Sequence, residues 1–174
     1  MSEAILGRQR AAPALSGPGL ARVIALLLPL ALLGGALGSQ YLGGLVPCEM
    51  CYWQRWPHAA AIALAALAFT APAEAGRSRA LTRLAAAAIA ISGAIGVYHA
   101  GVELGIFEGL TTCTSTASGA TTAELLKSIM NAPLVRCDQV QFAFLGISMA
   151  GWNAILSLGG AAVIAWLTFK GSRA

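Results

Sequence analysis

Residues 23–48, VIALLLPLALLGGALGSQYLGGLVPC, contain no Asp, Glu, Lys or Arg and end on the first of four cysteines. Three more charge-free stretches follow at residues 56–73, 84–102 and 139–169. A helix that crosses a bilayer needs about 20 mostly apolar residues, and the first, third and fourth stretches are long enough. The second is shorter, but the aromatic residues just ahead of it suit a membrane interface and extend it. The sequence therefore predicts four transmembrane helices.

Composition also indicates a membrane protein. The chain has 174 residues, of which 57% are hydrophobic and 10% charged, whereas soluble domains have roughly 25% charged residues. The first apolar stretch is longer than a signal-peptide core and is followed by further spans, so we expect it to be retained. A basic stripe with interleaved aromatic residues is absent from the sequence, which argues against nucleic-acid binding.

The basic residues predict which end of the bundle faces the cytoplasm. Eight of the eleven fall at one end of the predicted helices: Arg8, Arg10, Arg22, Arg77, Arg79, Arg83, Lys170 and Arg173. Cytoplasmic segments carry the excess of Lys and Arg, so both termini and the turn near residues 74–83 are predicted to be cytoplasmic. All four cysteines then face the opposite side.

The predicted fold is all-α, with one four-helix membrane domain at residues 19–170. Residues 1–18 are predicted to be a disordered cytoplasmic tail, because Pro13, Gly17 and Pro18 disfavour a helix. A short loop at about residues 43–54 and a long loop at about 102–141 connect the helices on the cysteine side. The helices themselves are expected at about residues 20–42, from that short loop to about 70, 81–101 and 142–169.

Two finer features of the helices can be predicted. Gly34, Gly35 and Gly38 would let a neighbouring helix approach the first helix closely. In the long loop, residues 122–131 have the pattern of a short amphipathic helix. Its apolar face consists of Leu125, Leu126, Ile129 and Met130. Such a helix can rest on the membrane surface or pack on its own loop, and both alternatives are open.

The four cysteines form a close pair and a distant pair. Four cysteines allow three disulfide pairings, and we favour Cys48 with Cys51 and Cys113 with Cys137 because the first two are neighbours in sequence. A Cys48–Cys51 bond closes too small a ring to remove much chain entropy, so redox chemistry explains it better than structural bracing does. A structural staple fits Cys113–Cys137. Zinc binding is disfavoured, since 23 residues separate the second pair.

Ionisable residues near the cysteines are candidates for the same site. Cys51 is predicted at the N-terminal end of the second helix, where the helix dipole favours a thiolate. Arg55, one turn later, could stabilise that thiolate, the alternative being an arginine that only reaches the membrane interface. His99 ends the third helix and is either functional at membrane depth or simply solvated. Side chains interpreted mainly as hydrogen-bonding or packing groups are His58, Trp152 and Asn153.

Taken together, these residues resemble the bacterial disulfide-bond formation protein B (DsbB) family. The residues that carry the resemblance are Pro47-Cys48-x-x-Cys51-x-x-x-Arg55 after the first helix, and Cys137 followed seven residues later by Phe144-Leu145-Gly146, with Trp152 beyond. The resemblance extends from the first helix to the fourth and leaves out residues 1–18. It implies a multi-pass oxidoreductase of the bacterial inner membrane whose cysteines face the periplasm.

The resemblance also implies a route for electrons. A reduced thioredoxin-fold dithiol oxidase of the periplasm, similar to DsbA, would attack the Cys113–Cys137 disulfide at Cys113. The electrons would then pass to the Cys48–Cys51 pair, with Cys48 as the sulfur that exchanges with the distal pair.

A membrane quinone, ubiquinone or menaquinone, is the electron acceptor that the resemblance implies. Cys51 would lie against it as a thiolate, Arg55 would stabilise that thiolate or a reduced quinone oxygen, and His99 would border the quinone. The loop between Cys113 and Cys137 and the neighbours of Arg55 differ from better-known members, which leaves the partner and the quinone open.

Two other functions are alternatives. A vitamin K epoxide reductase-like quinone reductase also has a four-helix core and paired cysteines, but its Cys-x-x-Cys pair is expected near the last helix and not after the first. The alternative from a different class is a non-enzymatic four-helix membrane protein whose disulfides only brace its loops.

Overall fold

The computed structural model describes residues 17–109, 121–131 and 135–170, and these residues are mostly helical. Their elements in chain order are α1 (Gly17–Tyr41), α2 (Glu49–Ala68), α3 (Gly76–Glu103), α4 (Thr122–Asn131), β1 (Ala143–Phe144), β2 (Ile147–Ser148) and α5 (Met149–Lys170). The predicted helical class is therefore confirmed, apart from one short hairpin that the sequence analysis did not anticipate.

The four long helices form a ring around a small-residue core. Helix α2 packs between α1 and α3 on one side, and α5 packs between the same two helices on the other. Among the described residues, α1, α3 and α5 are long and apolar enough to cross a membrane. Helix α2 is less apolar because Gln54, Arg55 and His58 lie in its N-terminal half. Four membrane spans thus stay a prediction.

Two helices begin earlier than predicted. Helix α1 starts at Gly17, inside the predicted tail, because Pro18 falls in the first turn, where its missing N–H removes no helical hydrogen bond. Helix α3 starts at Gly76, before the predicted position near residue 81. Residues 1–16 lie outside the described part of the chain, and their disorder stays a prediction.

A hairpin replaces the predicted start of the last helix near residue 142. Strand β1 pairs antiparallel with β2, and the two residues between them, Leu145 and Gly146, have φ angles of 52° and 77°. Such positive φ values define a tight two-residue turn and are incompatible with a helix. The hydroxyl of Ser148 then caps α5. Trp152 packs on Phe144 and donates to its carbonyl oxygen at 3.0 Å, in keeping with its predicted packing role.

Gly96 on α3 lies close to the backbone of α5. A Cβ atom at Gly96 would lie 3.0 Å from the carbonyl oxygen of Ala150 on α5. At Gly34, Gly35 and Gly38 a Cβ atom would meet nothing within 4 Å. The predicted close approach at α1 is therefore wrong for the described part of the chain, and small residues instead bring α3 and α5 together.

Basic side chains gather at the end of the bundle that is remote from Cys48 and Cys51. Arg22 donates to the carbonyl oxygen of Ala71 at 2.9 Å, and Arg83 donates to that of Thr168 at 3.3 Å. Ala71 lies in the turn after α2, and Thr168 lies in the last turn of α5, where carbonyl groups have no partner within their own helix. The grouping agrees with the predicted segregation of basic residues, while the side of the membrane stays a prediction.

The short loop helix α4 has the predicted bounds. The Thr121 hydroxyl accepts from the backbone N–H of Glu124, and the Glu124 carboxylate accepts from the backbone N–H of Thr121. This reciprocal capping box fixes the start of the helix. The side chains of Leu126 and Met130 are exposed. Both alternatives for the apolar face, the membrane surface and packing on the loop, stay predictions.

Candidate redox site

Cys48 and Cys51 lie at the N-terminal end of α2, as predicted. Cys48 immediately precedes the helix, and its sulfur accepts from the backbone N–H of Cys51 at 3.3 Å. A thiol therefore takes the capping position usually held by a hydroxyl or a carboxylate. The two sulfurs are 3.0 Å apart, farther than the 2.05 Å or so of a disulfide bond, so the structure shows the pair as thiols.

The two sulfurs have different environments. A hydrogen bond to Cys51 and burial raise the pKa of Cys48. At Cys51, an anion is stabilised by the hydrogen bond from Cys48, by the helix N-terminus and by the positive charge of Arg55. The reduced pair is therefore best described as a Cys48 thiol that donates to a Cys51 thiolate.

A cavity of about 580 Å³ opens beside Cys51. Its walls come from all four long helices, the loop after α1 and the hairpin segment, and they are mostly apolar. Polar side chains on the wall are Ser39, Cys51, Gln54, Arg55, His58, His99 and Asn153. Cavities of this size, with apolar walls and a few converging polar groups, are typical of small-molecule sites.

A second cavity, of about 50 Å³, lies next to the first. Cys51, Arg55 and His99 line both cavities, whereas Cys48 and Glu103 line only the smaller one. Of the two cysteines in this pair, only Cys51 borders the large cavity.

Arg55 connects α2 to α1. Its guanidinium donates to the side-chain oxygen of Gln40 and, at 3.2 Å, to the carbonyl oxygen of Ala36. It also lies 5.1 Å from the ring centre of Tyr52. These contacts hold the charge inside the bundle at the wall of the large cavity, unlike an arginine that only reaches the interface.

His99 is buried between the cysteines and the centre of the bundle, so the alternative of a solvated histidine is wrong. Only 3% of its surface is exposed. Its Nδ1 atom lies 2.8 Å from the amide nitrogen of Gln54, and its Nε2 atom lies 3.6 Å from the sulfur of Cys48. Nε2 is also 3.8 Å from the carboxylate of Glu103, which accepts a hydrogen bond from Ser148.

Gln54 and Asn153 link α2, α3 and α5, and Gln54 is a site residue that the sequence analysis missed. The Asn153 amide nitrogen donates to the side-chain oxygen of Gln54 at 2.7 Å and to the carbonyl oxygen of Ser92 at 3.2 Å. Its oxygen accepts from His58 at 2.9 Å. The predicted hydrogen-bonding roles of Asn153 and His58 are confirmed. The i, i+4 spacing of Met50, Gln54 and His58 was the available signal.

Cys137 belongs to the same buried cluster as Cys48. The cluster contains Cys48, Met50, Val102, Val135 and Cys137, with Cys51 and Tyr98 packed on it. Cys113 lies outside the described residues, so its predicted pairing with Cys137 stays a prediction. One cysteine of the distal pair thus lies beside the close pair.

A metal ion is a poor fit at the cysteine pair. Potential ligand atoms of Cys48, Cys51 and His99 lie within 4.8 Å of one another. A metal on Nε2 of His99 would need a lone pair there. Because the Gln54 nitrogen donates to Nδ1, the ring proton lies on Nε2 instead.

The site is a pair of neighbouring thiols at the end of an apolar helix bundle, beside a cavity of small-molecule size. These features are those of a membrane protein that carries out thiol–disulfide exchange. The chain matches the family model described as "Disulfide bond formation protein DsbB" over residues 19–167. It belongs to the DsbB family and is a membrane oxidoreductase of disulfide-bond formation. This membership agrees with the resemblance in the sequence and favours it over the two alternative functions. No curated protein and no solved structure gives a significant match.

Proposed function

We propose that the protein reoxidises a DsbA-like, thioredoxin-fold dithiol oxidase in the bacterial periplasm and passes the electrons to a membrane quinone. The route runs from Cys113–Cys137 to Cys48–Cys51. The observation that carries this proposal is the placement of the close pair: Cys51 borders a cavity of about 580 Å³, while Cys48 lies in the same buried cluster as Cys137. The pair therefore has a thiol neighbour on one side and room for an acceptor on the other.

Four exchange steps account for the route, and each breaks one S–S bond and forms another. A thiolate of the partner attacks Cys113, and Cys137 leaves as a thiolate. Cys137 then attacks Cys48 in the Cys48–Cys51 disulfide, and Cys51 leaves as a thiolate. The partner's second thiolate resolves the mixed disulfide and releases Cys113, which attacks Cys137 so that Cys48 leaves. The shared buried cluster of Cys137 and Cys48 supports the second step, because exchange requires access of the attacking thiolate to the sulfur.

The large cavity fits a quinone head group, either ubiquinone or menaquinone. We expect Cys51, Arg55 and His99 to border it, since all three line the cavity. A bound quinone accepts two electrons and two protons. Arg55, held by Gln40 and Ala36, contributes a fixed positive charge that stabilises reduced oxygen or sulfur without reorganisation. The apolar walls exclude water, so the electrostatic attraction between that charge and an anion is stronger than it would be in water.

We also propose that all four long helices cross the inner membrane, with both termini in the cytoplasm and the cysteines in the periplasm. The basic end of the bundle, at Arg22 and Arg83, supports this orientation. Helix α2 has 20 residues, which is enough to span. Its polar side chains Gln54 and His58 are buried within the bundle, as intramembrane polar groups generally are.

Anaerobic turnover tests the electron route. The purified protein is mixed with a reduced DsbA-like dithiol protein and with ubiquinone or menaquinone, and quinol and disulfide are measured together. We expect one quinol for each dithiol oxidised, with no turnover in Cys51→Ser. Dithiol oxidation that proceeds without quinol formation would contradict the proposal.

A trapping experiment tests the partner step. In Cys137→Ala, Cys113 has no intramolecular partner, so its thiolate is offered the disulfide of the oxidised thioredoxin-fold protein. That S–S bond breaks, a mixed disulfide through Cys113 forms, and acid quenching with alkylation of the released partner thiol preserves it. Cys113→Ala is the matched control and should give no adduct. If Cys137→Ala captures no thioredoxin-fold protein through Cys113, the partner step is wrong.

A further inference from the structure

Two backbone carbonyl groups determine the proton position on His99. A carbonyl oxygen only accepts, so the Asn153 side-chain nitrogen must face the carbonyl of Ser92, at 3.2 Å. That nitrogen also donates to the side-chain oxygen of Gln54 at 2.7 Å. The Gln54 nitrogen then faces the carbonyl of Met50, at 3.2 Å, and Nδ1 of His99, at 2.8 Å. Both carbonyl groups give the same orientation for Gln54.

The proton of the neutral His99 ring consequently lies on Nε2. Because Nδ1 accepts from Gln54, Nε2 is the ring nitrogen that donates. Nε2 lies 3.6 Å from the sulfur of Cys48, which is within reach of an N–H···S contact. The backbone of Cys137 lies near the same ring. The Nε2–H group of His99 therefore faces the sulfur of Cys48.

Glu103 does not accept a hydrogen bond from this N–H group. Its nearer carboxylate oxygen is 3.8 Å from Nε2, beyond hydrogen-bond distance. Its other oxygen accepts from the hydroxyl of Ser148. Ionisable groups near His99 in the described part of the chain include Cys48, Cys51 and Glu103, and Arg55 lines the same two cavities.

The exchange between the cysteine pairs needs a donor at Cys48. Once Cys137 is bonded to Cys48, the Cys113 thiolate must attack Cys137 to restore the distal disulfide, and Cys48 leaves. Sulfurs of low pKa leave faster. The hydrogen bond to Cys51 and burial instead raise the pKa of Cys48. Without a donor, Cys48 would be a slow leaving group.

We propose that His99 is a catalytic residue of this exchange, in which its Nε2–H group stabilises the Cys48 sulfur as it leaves Cys137. Gln54 is a positioning residue that keeps the proton on that nitrogen. In the step, a Cys113–Cys137 bond forms, the Cys48–Cys137 bond breaks, and its electron pair stays on Cys48. No further oxidant or reductant takes part. The inference rests on the proposed function, because it concerns a step within that route.

A titration that needs neither partner nor quinone tests the donor. In a Cys51→Ser background, the rate at which iodoacetamide modifies Cys48 is measured against pH by peptide mapping. His99→Leu removes the donor at similar volume. We expect the pH at which Cys48 modification reaches half its maximal rate to rise by about one unit. His99→Gln places an amide nitrogen near the position of Nε2 and should restore most of the shift.

Equal midpoints with His99 and with His99→Leu would overturn the proposal. If His99→Leu does not fold, Gln54→Leu takes its place, because the ring proton is then free to move to Nδ1. We expect a smaller rise in the same direction for that variant, and no rise would again contradict the donor role.

Rapid quenching of the full-length protein with bound ubiquinone tests the step itself. After reduced dithiol protein is added, the species linked through Cys48 and Cys137 is quantified. We expect His99→Leu to prolong its lifetime roughly tenfold when ubiquinone is saturating. An unchanged lifetime with weaker ubiquinone binding would assign His99 to the quinone instead. If the wild type forms no such species, the proposed electron route fails, whatever the titration shows.

Discussion

The guanidinium of Arg55 on α2 donates to the side-chain oxygen of Gln40 on α1, and the same group donates to the carbonyl oxygen of Ala36. Two acceptors on a neighbouring helix thus fix the direction of a positive charge that lines the large cavity beside Cys51. A preorganised charge stabilises an anion more effectively than a mobile one, because nothing must rearrange when the anion forms. Helix α1 therefore contributes to the site by holding a residue of α2.

Replacement of Gln40 should weaken quinone binding. In Gln40→Leu, Arg55 loses one of its two hydrogen-bond acceptors on α1, and we expect the Kd for ubiquinone to rise about fivefold. The measurement is a titration followed by quenching of tryptophan fluorescence. Gln40→Asn keeps an uncharged amide oxygen as a possible acceptor for Arg55 and should lose less affinity than Gln40→Leu. Equal affinities for Gln40→Leu and the wild type would show that the Arg55–Gln40 contact does not matter.

Only one sulfur of the close pair should interact electronically with a quinone. Reduced protein with added quinone is expected to show a visible absorption band that arises from the Cys51 thiolate. Cys48→Ser should keep the band, since Cys51 alone borders the large cavity. Cys51→Ser should lose it. Persistence of the band in Cys51→Ser would exclude Cys51 as the donor.

The two sulfurs should also differ in reactivity with pH. Because the hydrogen bond to Cys51 and burial raise the pKa of Cys48, Cys48 stays a thiol below its raised pKa and reacts only at more alkaline pH than an ordinary cysteine, whose pKa is about 8.5. In reduced protein at neutral pH, iodoacetamide should therefore label Cys51 before Cys48, as judged by peptide mass. Cys51→Ala removes the partner and should lower the pH at which Cys48 reacts. Labelling of Cys48 first would contradict this assignment.

Two glycine substitutions, one of them a control, test the packing between α3 and α5. In Gly96→Ala, the new Cβ atom would lie 3.0 Å from the Ala150 carbonyl oxygen, so the helices must separate. We expect a loss of roughly 1–3 kcal/mol in the free energy of unfolding, measured in detergent. Gly34→Ala is the control, since its Cβ atom meets nothing within 4 Å and alanine favours a helix. Equal destabilisation by the two substitutions would contradict the observed packing.

The sequence predicted the helices well where charge-free stretches or the spacing of the cysteine motif determine their position. Charge-free stretches located α1, α3 and α5, and the spacing of Cys48, Cys51 and Arg55 located the start of α2. The hairpin was missed because an apolar run does not distinguish strand from helix, and the positive φ of Leu145 has no sequence signal. A leucine there is unusual, since this backbone conformation favours glycine and asparagine.

Contacts that depend on helix rotation could not be predicted. Gln54 becomes a site residue only because α2, α3 and α5 turn their polar side chains toward one another. The contact of Gln54 with Asn153 joins residues 99 positions apart. Likewise, the distance between His99 and Cys48 depends on where α3 ends relative to α2. Periodicity gives the face of a helix, but packing against its neighbours determines which residues meet across it.

The hairpin segment has a consequence for how the chain tolerates changes of length. Phe142 and Phe144 form part of the wall of the large cavity, and Cys137, a few residues earlier, belongs to the same buried cluster as Cys48. An insertion between Cys137 and Phe142 would pull either the sulfur from its neighbour or the ring from the wall. Surface loops generally accept added residues easily, but this stretch is anchored at both ends. The number of residues between Cys137 and Phe142 is therefore itself under structural constraint.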